Sequence, residues 1–370
     1  MRVLHVYKSY YPDTVGGIEQ VIAQLGTALA GLGDQSRVFT LSPDPDPPVL
    51  ARSEAEVHRC RTTVEISSNP LSIAAFAEFR RQVEWADVVH YQFPWPFADL
   101  LHMASRVRKP SVVSYQSDIV RQKVLLRAYA PLMKRFLRAV DAVVATSPQY
   151  RDSSPVLARL GREVNIIPNG IDEASFPEPS ADRLNAWREI VGEGFFLFVG
   201  VLRYYKGLET LLRAARGLEG QIVIAGAGPE AGHLQETAAR EGLANVRFVG
   251  AITDEDKACL LRLSRAFVFP SHLRAEAFGM SLLEASMFAR PMVCCEIGTG
   301  TSYINVDGET GFVVPPEDSD ALRFAMRRFL KEPELARRLG DNARLRFLAH
   351  FTAKQMAQSY HLLYTGLAAR

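Results

Sequence analysis

Short apolar runs and amphipathic stretches alternate along nearly the whole chain. Residues 3–7 read as a buried strand, followed by a polar turn containing Pro12, Gly16 and Gly17. Val21, Ile22, Leu25, Ala28 and Leu29 then share one face of a helix that the spacing extends from Ile18 to about Leu32. A strand at residues 37–41 runs into a Pro- and Asp-rich loop at residues 42–48. Residues 88–90, 111–115 and 142–145 are further strand-type runs separated by helical patterns. Pro168 and Asn169-Gly170 break the rhythm, and residues 176–180 read as linker. The second half restarts it, with strands at residues 195–200, 221–225, 246–249, 266–269, 291–295 and 311–314. A helix at about 208–216 comes after its first strand, and helices at about 319–331, 333–348 and 353–367 close the chain. Such alternation predicts an α/β fold with parallel sheets covered by helices on both faces.

Length and charge narrow the picture. A chain of 370 residues exceeds one ordinary core, so two domains are expected. A net charge of +2 argues against a broad nucleic-acid footprint. Cys60, Cys259, Cys294 and Cys295 form no Cys-x-x-Cys pair and stand apart from any His cluster, so they read as small buried hydrophobes. The first residues read as a strand rather than a signal peptide, and no apolar run approaches the ~18 residues that span a bilayer. A cytoplasmic protein is expected.

The richest chemistry lies in Glu276-Ala-Phe-Gly-Met-Ser-Leu-Leu-Glu284, between a predicted strand and a predicted helix. Glu276 is placed just before or within the first helical turn, and Glu284 about two turns further on. With a rise of ~1.5 Å per residue the two carboxylates cannot touch, but they can grip two ends of one elongated ligand. The amides of Phe278, Gly279 and Met280 would form an anion site at the helix start, and Gly279 allows close approach. A phosphate carrying hydroxyl-rich groups on both sides, as in a nucleotide-sugar, suits this arrangement. An acidic residue at a helix start is also a common complement to the dipole. Upstream, Gly-Val-Leu-Arg203-Tyr-Tyr-Lys206-Gly places two cations between a strand end and a helix, which suits a diphosphate as well as it suits two solvated charges.

Glu, seven residues, Glu, with Phe-Gly after the first, resembles the signature of retaining glycosyltransferases of family 4. The resemblance covers nearly the whole length. It implies the two-domain GT-B fold: two Rossmann-like domains facing a central cleft. Residues 1–172 would form the N-terminal, acceptor-binding domain, residues 173–352 the donor-binding domain, and the final helix, 353–370, would pack back on the first. It assigns Glu276 to the donor sugar, Glu284 to the ribose, and Arg203 and Lys206 to the diphosphate. Many members have Arg directly after the Gly, where this chain has Val201. Gly226 and Gly228 would border the nucleotide, Val249, Gly250 and Ala251 the base, and Ala277, Phe278, Gly279 and Met280 the remainder of the donor. The Gly-rich tract from Glu296 to Ser302 offers amides and hydroxyls to sugar or phosphate, or is a plain strand-helix loop. Gly226-Ala-Gly228 lacks the third glycine of a dinucleotide fingerprint, which counts against an oxidoreductase.

In the first half, Gly16-Gly17 resembles the glycine turn that faces the donor diphosphate. Gln116 stands where many relatives have His; it hydrogen-bonds but cannot shuttle a proton. That departure leaves open a non-catalytic nucleotide-sugar binder. Gln92, Ser117, Asp118, Arg121 and Lys123 are the candidate acceptor contacts, while a lone His90 at a strand end reads more simply as a core residue. Residues 121–138 form a basic stretch with Arg121, Lys123, Arg127, Lys134, Arg135 and Arg138 among Val124, Leu125, Leu126, Leu132 and Phe136. It suits either an anionic membrane surface or a solvated face on a core helix.

The catalytic set expected is therefore Glu276, Arg203, Lys206 and Gln116, with no metal. Asp44-Pro-Asp46, a weak match to the Asp-x-Asp metal ligand of the other major transferase fold, sits in the Pro-rich loop and reads as linker. Similarity of Gly-Val-Leu-Arg-Tyr-Tyr-Lys-Gly, His-Tyr-Gln-Phe-Pro-Trp-Pro and Glu-Ile-Gly-Thr-Gly-Thr-Ser-Tyr to bacterial lipopolysaccharide transferases implies GDP-mannose or GDP-rhamnose as donor, with a UDP-sugar as the alternative. It also implies a lipid-linked glycan acceptor at the inner face of the membrane.

Overall fold

A computed structural model describes residues 1–67, 69–119 and 123–370, with the backbone alone for 123–125. The chain divides into two compact units, Met1–Asp172 with Thr352–Arg370, and Glu173–Phe351. Thr352 goes with the first unit, one residue earlier than the sequence boundary, because its hydroxyl and the Gln355 side chain form the capping box that starts the last helix.

The first unit contains β1 (Arg2–Val6), α1 (Gly17–Ala30), β2 (Gln35–Ser42), β3 (Val49–Ala51), β4 (Glu56–Arg61), β5 (Val64–Ile66), β6 (Asn69–Leu71), α2 (Ala75–Trp85), β7 (Val88–Phe93), α3 (Pro96–Ser105), β8 (Ser111–Tyr115), α4 (Lys123–Ala139), β9 (Ala142–Ala145), α5 (Pro148–Ser153) and β10 (Asn165–Ile166). Its main sheet runs β10-β9-β8-β7-β1-β2-β4-β3, parallel except for β3 at the edge. β5 and β6 pair apart as a small antiparallel ribbon. The central strands β7, β8 and β9 are buried at every position, β7 and β8 holding His90, Gln92, Ser111 and Ser114 among their apolar residues. The segment 49–71, to which the hydrophobic pattern assigns no element, holds the four strands β3 to β6. β4 survives with the charged string Glu-Val-His-Arg-Cys-Arg because its polar side chains find partners: Arg59 donates to Asp13 at 2.9 Å and to the Pro47 carbonyl at 2.7 Å.

The second unit contains α6 (Ala181–Val191), β11 (Phe196–Val199), α7 (Leu208–Ala215), β12 (Ile222–Ala225), α8 (Ala231–Arg240), β13 (Val246–Gly250), α9 (Asp254–Leu263), β14 (Ala266–Phe269), α10 (Met280–Met287), β15 (Met292–Cys295), α11 (Thr301–Ile304), β16 (Gly311–Val314), α12 (Ser319–Lys331) and α13 (Pro333–His350). Its six strands are all parallel in the order β13-β12-β11-β14-β15-β16. α14 (Ala353–Ala368) then belongs to the first unit and packs on α1. The four cysteines are free and buried.

In both sheets the strand order reverses once in the interior, between β1 and β7 and between β11 and β14. Open parallel sheets bind ligands beyond the carboxyl ends of the strands at such a reversal. The loop after β1 carries Gly16, the loop after β11 carries Arg203 and Lys206, and the loop after β14 carries Glu276, Ala277, Phe278 and Gly279.

Candidate functional site

In the second unit, the loop after β11 and the loop after β14 are sewn together. The His272 amide donates to the Tyr205 carbonyl at 3.0 Å, and Gly207 sits so close to Pro270 that a Cβ would lie 1.9 Å from its carbonyl oxygen. With φ at +68° as well, Gly207 admits no side chain. The short 3-10 turn between them, Tyr204–Lys206, points Lys206 at Glu276. The ammonium forms an ion pair with Glu276 Oε2, which also accepts from the buried Ser271 hydroxyl at 3.2 Å. The pair is nearly buried, with side chains 10% and 12% exposed, and the Lys206 ammonium lies 4.6 Å from the centre of the Phe269 ring. Burial, followed by the Glu276 charge, pushes Tyr205 up to about 12. Arg203 caps the same turn and is exposed.

Glu276 is not in the helix. α10 begins at Met280 behind a left-handed Gly279, so Glu276, Ala277 and Phe278 belong to the preceding loop. The reason is the Gly300 amide, which donates to the Ala277 carbonyl at 2.8 Å and holds that loop against the Gly-rich tract. Arg274 adds a second stitch, donating to the Gly298 carbonyl at 3.0 Å. Glu296 accepts from the Gly298 amide and the Ser302 hydroxyl, while Thr299 and Thr301 are fully buried and bond within their own loop. The threonine hydroxyls are thus committed to shaping the loop.

Glu284 stands in the middle of α10, buried, with Lys257 of α9 donating to its Oε1 at 2.8 Å. Lys257 also meets Asp254 at 3.0 Å. Burial works against the Lys257 charge, but Glu284 and Asp254 outweigh it and raise its pKa. Sequence reasoning missed Lys257. The available signal was its spacing three residues beyond Asp254, on a helix opened by the Thr253–Asp256 capping box. Gly226 and Gly228 lie in the loop after β12, which interlocks with its neighbours: the Gly226 amide donates to the carbonyl of Gly250 at the end of β13 at 2.7 Å, and a Cβ on Gly226 would lie 2.0 Å from the Gly200 carbonyl oxygen. Val249, Gly250 and Ala251 follow at the end of β13, the outermost strand of the sheet.

In the first unit, Gly16 caps α1 and Gly17 opens it. Glu19, also missed, straps the preceding loop down, accepting from Ser9 at 2.9 Å and Thr14 at 2.7 Å. Gln92 on β7, Gln116 after β8 and Asn169 after β10 converge: Gln116 Nε2 donates to Gln92 Oε1 at 2.9 Å, and Asn169 Nδ2 donates to Gln116 Oε1 at 3.3 Å. All three are buried. His90 is fully buried and its pKa is held well down, by burial and then by the neighbouring His5, as expected for a core imidazole. Asp118 accepts from Tyr115 at 2.9 Å and Ser154 at 2.7 Å, beside a half-buried Ser117. Arg121 lies outside the described residues, and of Lys123 only the backbone is described. α4 settles part of the choice for the basic stretch. Phe136, with Met133 and Leu137, faces the core, so these apolar positions are not offered to a membrane; the exposed face carries Arg127, Lys134, Arg135 and Arg138. Among the described residues no group of three or more His, Cys, Asp or Glu side chains gathers to hold a metal ion, and no helix is long and apolar enough to cross a membrane.

Residues 183–346 match the family described as Glycosyl transferases group 1, and residues 15–175 match Glycosyltransferase Family 4. The chain is 52% identical to the D-rhamnosyltransferase WbpZ of Pseudomonas aeruginosa, over 95% of this chain and 93% of that one. The chain belongs to glycosyltransferase family 4. This glycosyltransferase is also 48% identical to the O-antigen chain mannosyltransferase C of Escherichia coli, over 99% of both. Among solved structures it resembles sucrose-phosphate synthase from Thermosynechococcus elongatus, with a TM-score of 0.82 at 24% identity over 100% and 99% of the two chains. It also resembles HepE from Anabaena, solved with UDP and glucose, with a TM-score of 0.78 at 17% identity over 99% and 100%. The fold is GT-B. Membership of the family sets aside both the non-catalytic binder and the oxidoreductase.

Proposed function

We propose that this glycosyltransferase moves mannose, or a 6-deoxy sugar such as rhamnose, from a GDP-sugar to a lipid-linked glycan during lipopolysaccharide O-antigen synthesis, retaining the α configuration. The observation that carries the reading is near-full-length identity of 52% and 48% to a D-rhamnosyltransferase and an O-antigen mannosyltransferase. The site chemistry is compatible with it. Arg203, Lys206 and the first amides of α10 supply positive charge for a leaving diphosphate without a metal. Glu276 would take hydroxyls of the sugar, and Glu284 the ribose. Ala277, Phe278, Gly279 and Met280 would line the donor, with Gly226, Gly228 and Val249, Gly250 and Ala251 at the nucleotide and Gly16-Gly17 at the diphosphate. Gln92, Gln116, Ser117, Asp118, Arg121 and Lys123 would lie on the acceptor side. The family resemblance favours front-face attack by the acceptor hydroxyl over a covalent intermediate.

The exposed cations of α4 fit the phosphates of an anionic inner-membrane surface. Salt-sensitive flotation with anionic vesicles supports that role, and its absence removes it. Thermal shift with GDP, UDP, ADP and TDP in chelator tests the donor. A ligand at ~100 times its Kd adds ~2.7 kcal/mol of stability. Stabilisation by GDP alone is expected; a response to UDP alone overturns the base, and a response that needs a divalent ion overturns the metal-free mechanism.

A further inference from the structure

The first unit carries an exposed apolar patch that the groups proposed for the reaction do not include. In the β5–β6 ribbon Val64 stands opposite Leu71 and Ile66 opposite Asn69. Alternation therefore puts Val64, Ile66 and Leu71 on one face of the ribbon, and Glu65 and Pro70 on the other. Val64 is 48% exposed and Ile66 52%. Ile73, two residues beyond β6, is 82% exposed, and Leu100 of α3 is 42% exposed. The ribbon is seated on α3: β6 packs against that helix, and the indole nitrogen of Trp95, just before it, donates to the Pro70 carbonyl at 3.3 Å. Phe76 meets Phe97 edge to face at 5.7 Å, which brings the segment after Ile73 onto the same helix. The four aliphatic side chains gather about α3 rather than standing singly on the surface.

The surroundings of this patch are basic. Tyr91 of β7 packs on Phe79 of α2, His102 of α3 and Phe136 of α4, so these three helices cover one face of the sheet. Its neighbour His90 points to the other face, where Nδ1 lies 2.7 Å from the Tyr364 hydroxyl of α14 and the ring lies against Tyr360. On the outside of the three-helix layer, α2 exposes Arg80 and α4 exposes Arg127, Lys134, Arg135 and Arg138. None of these five cations forms an ion pair among the described residues. Of the carboxylates nearby, Glu65 lies on the other face of the ribbon, Glu78 is paired with Arg81 at 2.7 Å, and Asp99 is buried under Tyr129; Glu84 is exposed. Unspent positive charge calls for an anionic partner. Exposed aliphatic side chains gain nothing from a nucleic acid or a free sugar phosphate, which have no apolar layer to receive them. An anionic bilayer supplies both, phosphates at its surface and hydrocarbon just beneath.

We propose that the β5–β6 ribbon, with Ile73 and Leu100, enters the headgroup–acyl boundary of an anionic membrane while the cations of α2 and α4 hold lipid phosphates around it. The proposal rests on the membrane reading given to α4 and names the part of the unit that goes into the lipid. Charge alone binds reversibly and is screened by salt; a second, apolar contact makes the attachment persist.

Flotation of the full-length protein with vesicles of phosphatidylglycerol and phosphatidylethanolamine tests it. The parent should float at low salt and retain part of its binding at high salt. Ile66→Ser with Ile73→Ser should lower affinity about ten- to a hundredfold and leave only salt-sensitive binding. Its GDP thermal shift should match the parent, showing that it folds. Lys134→Glu with Arg135→Glu should lose mainly the low-salt component. A polarity-sensitive dye on Ile73→Cys, selective because the four native thiols are buried, should shift to the blue on adding vesicles. The same dye on Leu362→Cys of α14, across the sheet, should not. If the serine variant floats like the parent, or the dye at position 73 does not shift, the ribbon stays out of the lipid and only the α4 reading stands. A parent that does not float on these vesicles overturns both. If the serine changes turn a dimer into a monomer in sedimentation and leave vesicle binding intact, the patch is a contact between copies and the proposal is wrong.

Discussion

The candidate groups of the two units solve the problem of buried polar groups in opposite ways. In the second unit the two candidate carboxylates each meet a lysine ammonium, Glu276 with Lys206 and Glu284 with Lys257. In the first unit the convergent groups are neutral amides, hydroxyls and an imidazole. Ion pairs are strong but weakly directional, and an incoming anion can take over one partner. A neutral network is directional, and it resists substitution because every donor needs its acceptor. In the proposed reaction the second unit would exchange charge with the donor, and the first would hold a geometry.

The largest expected effect comes from splitting a pair. Lys206→Met leaves Glu276 nearly buried without its cation, and removing one partner of such a pair costs about 3–5 kcal/mol. Urea denaturation should show that loss, and saturating GDP should recover little of it, because Lys206 is then absent from the diphosphate. If Lys206→Met melts like the parent, the pair is ornamental and the contrast between the units disappears.

Next in size is the separation of the two carboxylates. Loss of a hydrogen bond to an ionised group costs roughly 1.5–3 kcal/mol. Glu276→Ala should lower kcat by about ten- to a hundredfold and leave GDP affinity unchanged, since it is assigned to the sugar. Glu284→Ala should instead weaken GDP itself. Calorimetry on both variants decides it: equal GDP affinity in both removes the ribose role from Glu284.

A third measurement separates the units by pH. His5 is lowered to about 4 by burial, His102 to about 4 chiefly by burial, and His90 well below its ordinary value. All three belong to the first unit. Their folded pKa values lie below the unfolded one, so below pH ~6.5 the unfolded chain takes up protons that the folded chain refuses. Stability should therefore fall as pH drops from 6.5 towards about 4, by up to about 1.4 kcal/mol per pH unit for each histidine. Hydrogen exchange at pH 7 and pH 5 should show protection lost first around β1, β7 and α14. Earlier loss in the second unit would break the comparison.

The smallest effect sharpens the picture of Lys257. Lys257→Met should weaken GDP less than Glu284→Ala does, and the two changes should be non-additive, because Lys257 meets Glu284 directly. Additive losses measured by calorimetry would mean that the two side chains act on the nucleotide independently.

Much of the fold was legible because its central strands are buried on both faces. The runs at 111–115, 142–145 and 266–269 coincide with β8, β9 and β14 residue for residue. Legibility ended in the segment 49–71 of the first unit, where β3 and the β5–β6 ribbon are short and β4 is rich in charge. Local pattern carries no sign that Arg59 will find the Pro47 carbonyl. The site behaved similarly. Glu276 and Glu284 stood out, but the true start of α10 depended on the Gly300 amide reaching the Ala277 carbonyl. The partners of Gln116 depended on which strands lie side by side, and that leaves no periodic trace.

The return of α14 also sets a timetable. Residues 173–351 separate it from the rest of the first unit. At ~5–20 residues per second, a ribosome needs roughly ten to forty seconds to make that intervening stretch. During that interval the strands of the first unit are complete but the seat for Tyr360 and Tyr364 is open, and His90 has no hydroxyl on its Nδ1. The second unit holds all of its own strands and helices and can finish first. Thus the half that begins the chain is the last to close, and the growing polypeptide carries an unsealed aromatic seat until its final helix emerges.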